Sequence, residues 1–316
     1  MTSTPPPAEP AAPRRVLPLV LFLATVVTVL RAGAEQVEGA ENLSYVAALR
    51  AGWTFAVPLL GILLTHEFGH YFAAKLHGVR ASLPYFLPMP LSPFGTFGAV
   101  IGMPDRITSR RKLLDIGAAG PLAGMLVALP VLAWGLAHSE VKPLTEHGLI
   151  EGQSMLYWLM KKLFVPRAIG PGEDVYLHPT AFAGWAGLFV TMLNLIPVGQ
   201  TDGGHIAYAL FGKKQDRYAE WVRTALLPLV VFNAGTAMAA ERVGGYAEGW
   251  FGRVTTASSM WLMWWVILGV LARLGGGNHP PVDDHDEPLG LVRTVIAIAS
   301  LVLFVLLFMR APFIIT

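Results

Sequence analysis

The apolar run at residues 57–74 is long enough to lie in a membrane, and it contains His66-Glu67-Phe68-Gly69-His70. This pairing constrains the chain more than any other feature. A segment at membrane depth must satisfy its own backbone as a helix, and ionisable side chains there are expensive, so a cluster of them points to function. Residues four apart project from one helical face about one turn apart, so both imidazoles reach a single ion. Glu67 between them is set to accept a proton from a water that such an ion activates.

Composition narrows the class further. Of 316 residues, 54% are hydrophobic and 14% charged. Soluble domains carry about 25% charged residues, so a soluble metalloprotease is excluded. A net charge of +2 gives no argument for nucleic acid. The basic cluster at 106–112 lacks interleaved aromatics and abuts an apolar run, as loops on the cytoplasmic side of membranes do. There are no cysteines, which removes thiolate zinc sites, disulfides and Cys nucleophiles. Any metal must be held by His and carboxylates.

Seven candidate spans follow from hydropathy, at about 16–33, 52–76, 113–137, 178–198, 219–240, 256–274 and 290–310. The expected fold is an all-α polytopic membrane protein with six to seven transmembrane helices. A Pro- and Ala-rich tail at 1–15 is expected to be disordered. Ala32-Gly33-Ala34 resembles a signal-peptidase site, but Arg31 and the long leading tail favour a retained helix. Arg14 and Arg15 put the N-terminus in the cytoplasm, and the basic residues between Lys75 and Lys112 fall on the same side. The second span then runs inward and carries His66 and His70 toward its cytoplasmic end. Residues 138–177 form an external loop, in which Glu173 and Asp174 are expected to be solvated.

The stretch 83–103 is apolar but broken by Pro84, Pro88, Pro90 and Pro93, then by Gly95, Gly98 and Gly102. Those residues disfavour a helix there. Phe97, Ala99 and Ile101 alternate with smaller neighbours, so a short membrane-associated strand or hairpin is expected near 95–103. Open backbone is not tolerated in lipid, so this piece must pack on protein or line a cavity.

Two imidazoles leave zinc one protein ligand short. The best third ligand is Asp202, which follows an apolar span and precedes Gly203 and Gly204. Pro197, Gly199 and Gly203 break the helix near membrane depth, which aims a carboxylate sideways. The alternative reading of Asp202 is a cap for the helix that follows.

HEFGH on an early span, paired with N-x-x-P-x-x-x-x-D-G at 194–203, resembles the site-2 protease family of intramembrane zinc metallopeptidases. GTFGAVI at 95–101, DIGAAGPLAG at 115–124 and HPTAFAGWAG at 178–187 extend the resemblance across about 55–212. The chain looks most like the branch of cyanobacteria, plastids and some other bacteria that lacks a PDZ insertion. The resemblance implies one zinc ion per chain, held by His66, His70 and Asp202, with Glu67 as general base. It also implies that Asn194 stabilises the tetrahedral intermediate, although a bond from Asn194 to a helix neighbour remains open. The family usually has Leu where this chain has Thr201, which is not a ligand position. His205 is open between a supporting and a water-facing role. Gly117, Gly120 and Gly124 read as close helix packing, and His178-Pro179 as a helix start.

The implied organisation is one transmembrane metallopeptidase domain at 16–310, with its core at 52–212. The implied activity is cleavage of a transmembrane segment in a membrane-anchored protein, in regulated intramembrane proteolysis. The expected location is a bacterial cell membrane, with the site opening to the cytoplasm. The expected partners are a membrane-spanning protein substrate and the lipid bilayer. Two alternatives are a catalytically silent protein that binds membrane helices, and a transporter of metal or small solutes.

Overall fold

Long apolar runs without charge must close their backbone hydrogen bonds internally, and here they do so as helices. The computed structural model describes residues 16–37, 39, 42–143, 149–244, 250–274, 279, 282–284 and 288–315. The tail at 1–15, with Arg14 and Arg15, lies outside the described residues. Among the described residues the order begins α1 (Val16–Ala34), α2 (Tyr45–Ala51), α3 (Trp53–Leu76), β1 (Tyr85–Pro88), β2 (Thr96–Val100) and α4 (Arg110–Ala137). It continues with β3 (Glu140–Pro143), β4 (Leu149–Glu151), α5 (Met155–Phe164), β5 (Glu173–Tyr176), α6 (Pro179–Asn194) and α7 (Asp202–Phe211). It ends with α8 (Lys214–Gly244), α9 (Trp250–Leu274), α10 (Leu291–Leu307) and β6 (Phe313–Ile315).

The protein is mostly helical, with small strands. Three described helices are long and apolar enough to cross a membrane: Val16–Ala34, Arg110–Ala137 and Lys214–Ala239. A fourth crossing results if α2 and α3, bent by 52° at Gly52, count as one. The stretches Ser258–Arg273 and Leu291–Leu307 are apolar but shorter. The expected spans at 256–274 and 290–310 are therefore helical, within α9 and α10. The span expected at 178–198 ends as a helix at Asn194.

The strand expected near 95–103 is β2, paired antiparallel with β1 through Tyr85↔Val100 and Phe86↔Ala99. The hairpin packs on α1, where the Phe22 and Phe86 rings meet edge to face at 5.2 Å. Gly95 brings the backbone so close to Thr28 and Val29 of α1 that no β-carbon fits. Val29 is fully buried.

The segment 138–177 differs from the expected loop. It holds α5 and two small sheets: β3 pairs with β5, and β4 pairs with β6 from the far end of the chain. Glu173 is not merely solvated, since both its oxygens meet Arg167 at 2.8 Å. That pairing, with the Gly170 N–H, holds its carboxyl down at about 2. Asp174 reaches Lys161 at 3.5 Å, and Lys161 also meets the buried Glu151 at 3.3 Å. Short strands leave a weak period-2 signal in a stretch this irregular, and their partners are distant in sequence.

The basic residues near the start of α4 act locally. Arg110 donates through Nε to the Ala209 carbonyl at 2.8 Å and through Nη2 to Leu210 at 3.2 Å. A guanidinium there satisfies the open carbonyls and the negative end of α7. Arg111 donates to the Pro288 carbonyl, and Arg106 meets Asp283.

Asp115 joins three helices. His77, capping α3, lies 2.9 Å from its Oδ2, while Arg293 of α10 donates to both oxygens at 2.8–3.1 Å. Asp115→Ala removes a charged hydrogen-bond hub and is expected to cost about 1.5–3 kcal/mol. The check is the midpoint of thermal unfolding in detergent, which should fall.

Candidate metal centre

His66 and His70 sit on the inner face of α3, 3% and 8% exposed. Asp202 reaches them from another part of the chain. After α6 the backbone turns at Gly199, and Thr201 caps the next helix. The Thr201 hydroxyl donates to the Ile196 carbonyl and accepts from the Gly204 N–H at 3.1 Å. Thr201, rather than Asp202, therefore fills the capping role. Asp202 begins α7 with its carboxylate turned to the imidazoles.

The three donor atoms form a nearly equilateral triangle. His66 Nε2 and His70 Nε2 are 3.2 Å apart, and each lies 3.3 Å from Asp202 Oδ2. Zinc bonds to nitrogen and oxygen of about 2.0–2.1 Å, taken at tetrahedral angles, place ligand atoms about 3.3–3.4 Å apart. The triangle matches one face of that tetrahedron. Among the described residues this is the one group of three such side chains with metal-holding spacing.

The orientation of His70 is fixed behind the triangle. Its Nδ1 lies 2.8 Å from the Ile116 carbonyl of α4. A carbonyl only accepts, so Nδ1 carries the proton and Nε2 presents a lone pair to the centre. Gly120 faces the same ring, and a β-carbon there would overlap the imidazole. At Gly124 a β-carbon would press on His66 at 3.2 Å, and at Gly117 on His205 at 3.0 Å. The glycines of α4 do serve close packing, and what they pack against is the face of α3 and α7 that carries the site.

Glu67 is 7% exposed and lines, together with His66, a cavity beside the triangle. The cavity holds about 370 Å³ and is largely apolar. Asn194 lines it too, with Nδ2 3.2 Å from His66 Nε2. Thr96, Phe97, Gly98 and Ala99 of β2 form another wall. His205 turns away from the triangle: its Nδ1 is 2.8 Å from His279 Nε2, and His279 stacks on Tyr208 at 4.1 Å. The structure thus brings His66, His70, Asp202 and Asn194 together, with Glu67 beside them on the cavity. His178 starts α6 as expected, its ring accepting from the Thr180 N–H at 3.2 Å.

Residues 54–233 match the family model described as Peptidase family M50. The chain belongs to peptidase family M50. This is the site-2 protease family that the motifs resemble. Among its relatives, "Probable zinc metalloprotease EGY1, chloroplastic" of Arabidopsis thaliana is 36% identical over 169 residues, covering 52% of this chain and 30% of that protein. "Probable zinc metalloprotease EGY2, chloroplastic" of Oryza sativa subsp. indica is 33% identical over 168 residues, with the same 52% and 30% coverage. "Probable zinc metalloprotease EGY3, chloroplastic" of the same rice is 26% identical over 248 residues, covering 74% of this chain and 38% of that protein. The matched part of this M50 chain thus spans about a third of the length of these relatives. They are plant chloroplast proteins and lend no support to a bacterial cell membrane.

Zinc is the metal in these names, and the donor set of the M50 chain suits it. The Ile116 carbonyl escaped the sequence reading, because a backbone group contacted from 46 residues away leaves no mark in residue types. Gly120→Ala is expected to displace the His70 ring and abolish zinc binding. Gly61→Ala, at a position with open space, should leave zinc content unchanged. Elemental analysis of the purified variants is the check.

Proposed function

We propose that the chain is an intramembrane zinc endopeptidase that cleaves the membrane-embedded segment of a membrane-anchored protein. The observation that carries this reading is the triangle of His66, His70 and Asp202 at tetrahedral spacing, beside a cavity lined by Glu67, Asn194 and β2. Zinc bound there would supply Lewis acidity, making water nucleophilic near neutral pH and polarising the scissile carbonyl.

The side chains supply the rest. The Glu67 carboxylate accepts the proton of the attacking water and passes it to the departing amine nitrogen. Asn194 Nδ2–H donates to the carbonyl oxygen as negative charge develops on it, which lowers the barrier by a few kcal/mol. The apolar cavity keeps out bulk water and strengthens both interactions.

A helical substrate hides its carbonyls, so it must be unwound before it is cut. Among the described residues β2 pairs with β1 alone, and its residues 96–99 border the cavity. In this reading the unwound segment adds to β2 as a further strand. Gly98, at φ +91°, holds a conformation that side-chain-bearing residues rarely adopt. Gly98→Pro should reduce cleavage while zinc content stays near normal, and unchanged cleavage would count against strand addition.

The membrane arrangement belongs to the same reading. A single domain at 16–310 crosses six to seven times, with α6, α9 and α10 completing the crossings begun by the longer helices. The site opens on the side that carries the basic residues at 75–112. The alternatives of a silent helix-binding protein and of a transporter both leave Glu67 without a task.

Glu67→Gln should keep the fold and the zinc but lower cleavage of a transmembrane peptide by about 10²–10⁴-fold. His66→Ala and Asp202→Ala should lose zinc as well as activity. Full cleavage by Glu67→Gln would rule out the role given to Glu67.

A further inference from the structure

Three phenylalanine rings from distant parts of the chain meet at one end of the cavity. Phe94 follows β1, Phe189 belongs to α6, and Phe313 opens β6. Their centroids are 5.9, 6.1 and 6.1 Å apart, and all three border the cavity. Trp185 stands behind them, fully buried, its indole N–H donating to the Gly152 carbonyl at 2.9 Å. Phe94 and Phe189 are buried, whereas Phe313 remains partly exposed. Phe313 also borders a second, more open cavity of about 630 Å³, which shares Leu91, Ser92, Pro93, Met260 and Met263 with the first.

The strand that delivers Phe313 is fastened to the segment between α4 and α6. Phe313 pairs with Glu151, and the Gly152 N–H donates to the Pro312 carbonyl at 2.7 Å. The ring is therefore held in place by backbone pairing.

We propose that Phe94, Phe189 and Phe313 form an aromatic end wall that sets the size of one substrate side chain, with Phe313 as the determining residue. The inference rests on the peptidase reading above. Its register comes from helix geometry. Phe189 lies about five residues before Asn194 on α6, roughly 7.5 Å of helix rise. An extended peptide covers that distance in about two to three residues, at roughly 3.3 Å each. For a substrate that lies alongside α6 with its scissile carbonyl at Asn194, the wall faces a side chain two to three residues from the cut. Close-packed rings do not yield to a bulky group without moving, so a large side chain at that position is rejected.

The test uses the full chain in liposomes with one cleavable transmembrane peptide. Each position within four residues of the cut is varied through Ala, Leu, Phe and Trp, and products are read by mass spectrometry. The native protein should disfavour Trp at one position two or three residues from the cut. Phe313→Ala should raise Trp relative to Ala there by about tenfold or more, with Phe313→Leu intermediate and zinc content unchanged. Identical size profiles in all three proteins overturn the proposal. Cleavage that persists in Glu67→Gln is instead a failure of the peptidase reading.

A second measurement needs binding only. The chain has no cysteine, so Phe313→Cys introduces a single thiol. In a Glu67→Gln background, the substrate peptide should slow maleimide labelling at that position severalfold. Labelling that is indifferent to peptide overturns the wall.

Discussion

The close approach of α4 to α3 is the contact on which the rest of the structure depends. Both imidazoles lie on the face of α3 that meets α4, and helices this near tolerate no side chain between backbone and ring. Gly120 against His70 and Gly124 against His66 supply that room. The same approach brings the Ile116 carbonyl to His70 Nδ1 and so decides which nitrogen faces inward. In membranes, small residues commonly allow such contacts, where van der Waals packing replaces the missing hydrophobic drive between helices. Here the contact also sets the chemistry of a ligand.

Around it, several polar groups hold the neighbouring helices in place. Asp115, one residue before the Ile116 carbonyl, is gripped by His77 and Arg293, which anchors α4 against α3 and α10. Arg110 closes the far end of α7, while Thr201 closes its near end and frees Asp202. Each bond removes an open donor or acceptor where water is scarce, and each restrains an element that carries a donor of the triangle.

Much of the site was legible in the residues, for identifiable reasons. HEFGH carries its geometry in its own spacing, because four residues make about one helical turn. Asp202 stood out because Pro197 and the glycines around it announce a break in an apolar run. The strand at 96–100 followed from prolines and glycines that disfavour a helix. What stayed hidden depends on partners far away in sequence. The pairing of β4 with β6 joins segments with no shared pattern, and Phe313 looked like any apolar residue near a chain terminus. The segment at 138–177 read as a loop because its strands are only three or four residues long. Thr201 stood out only as a departure at a position that holds no ligand, and the engagement of its hydroxyl by backbone left no sign in the sequence.

The break between α6 and α7 has a mechanical consequence. Two corners of the triangle belong to one long rod, and the third begins a short, separate helix hinged at Gly199. An ion seated among them acts as a rivet across that hinge. Drawing it out would remove that direct link between α7 and α3, so that chelation reaches beyond chemistry into the packing of the two helices.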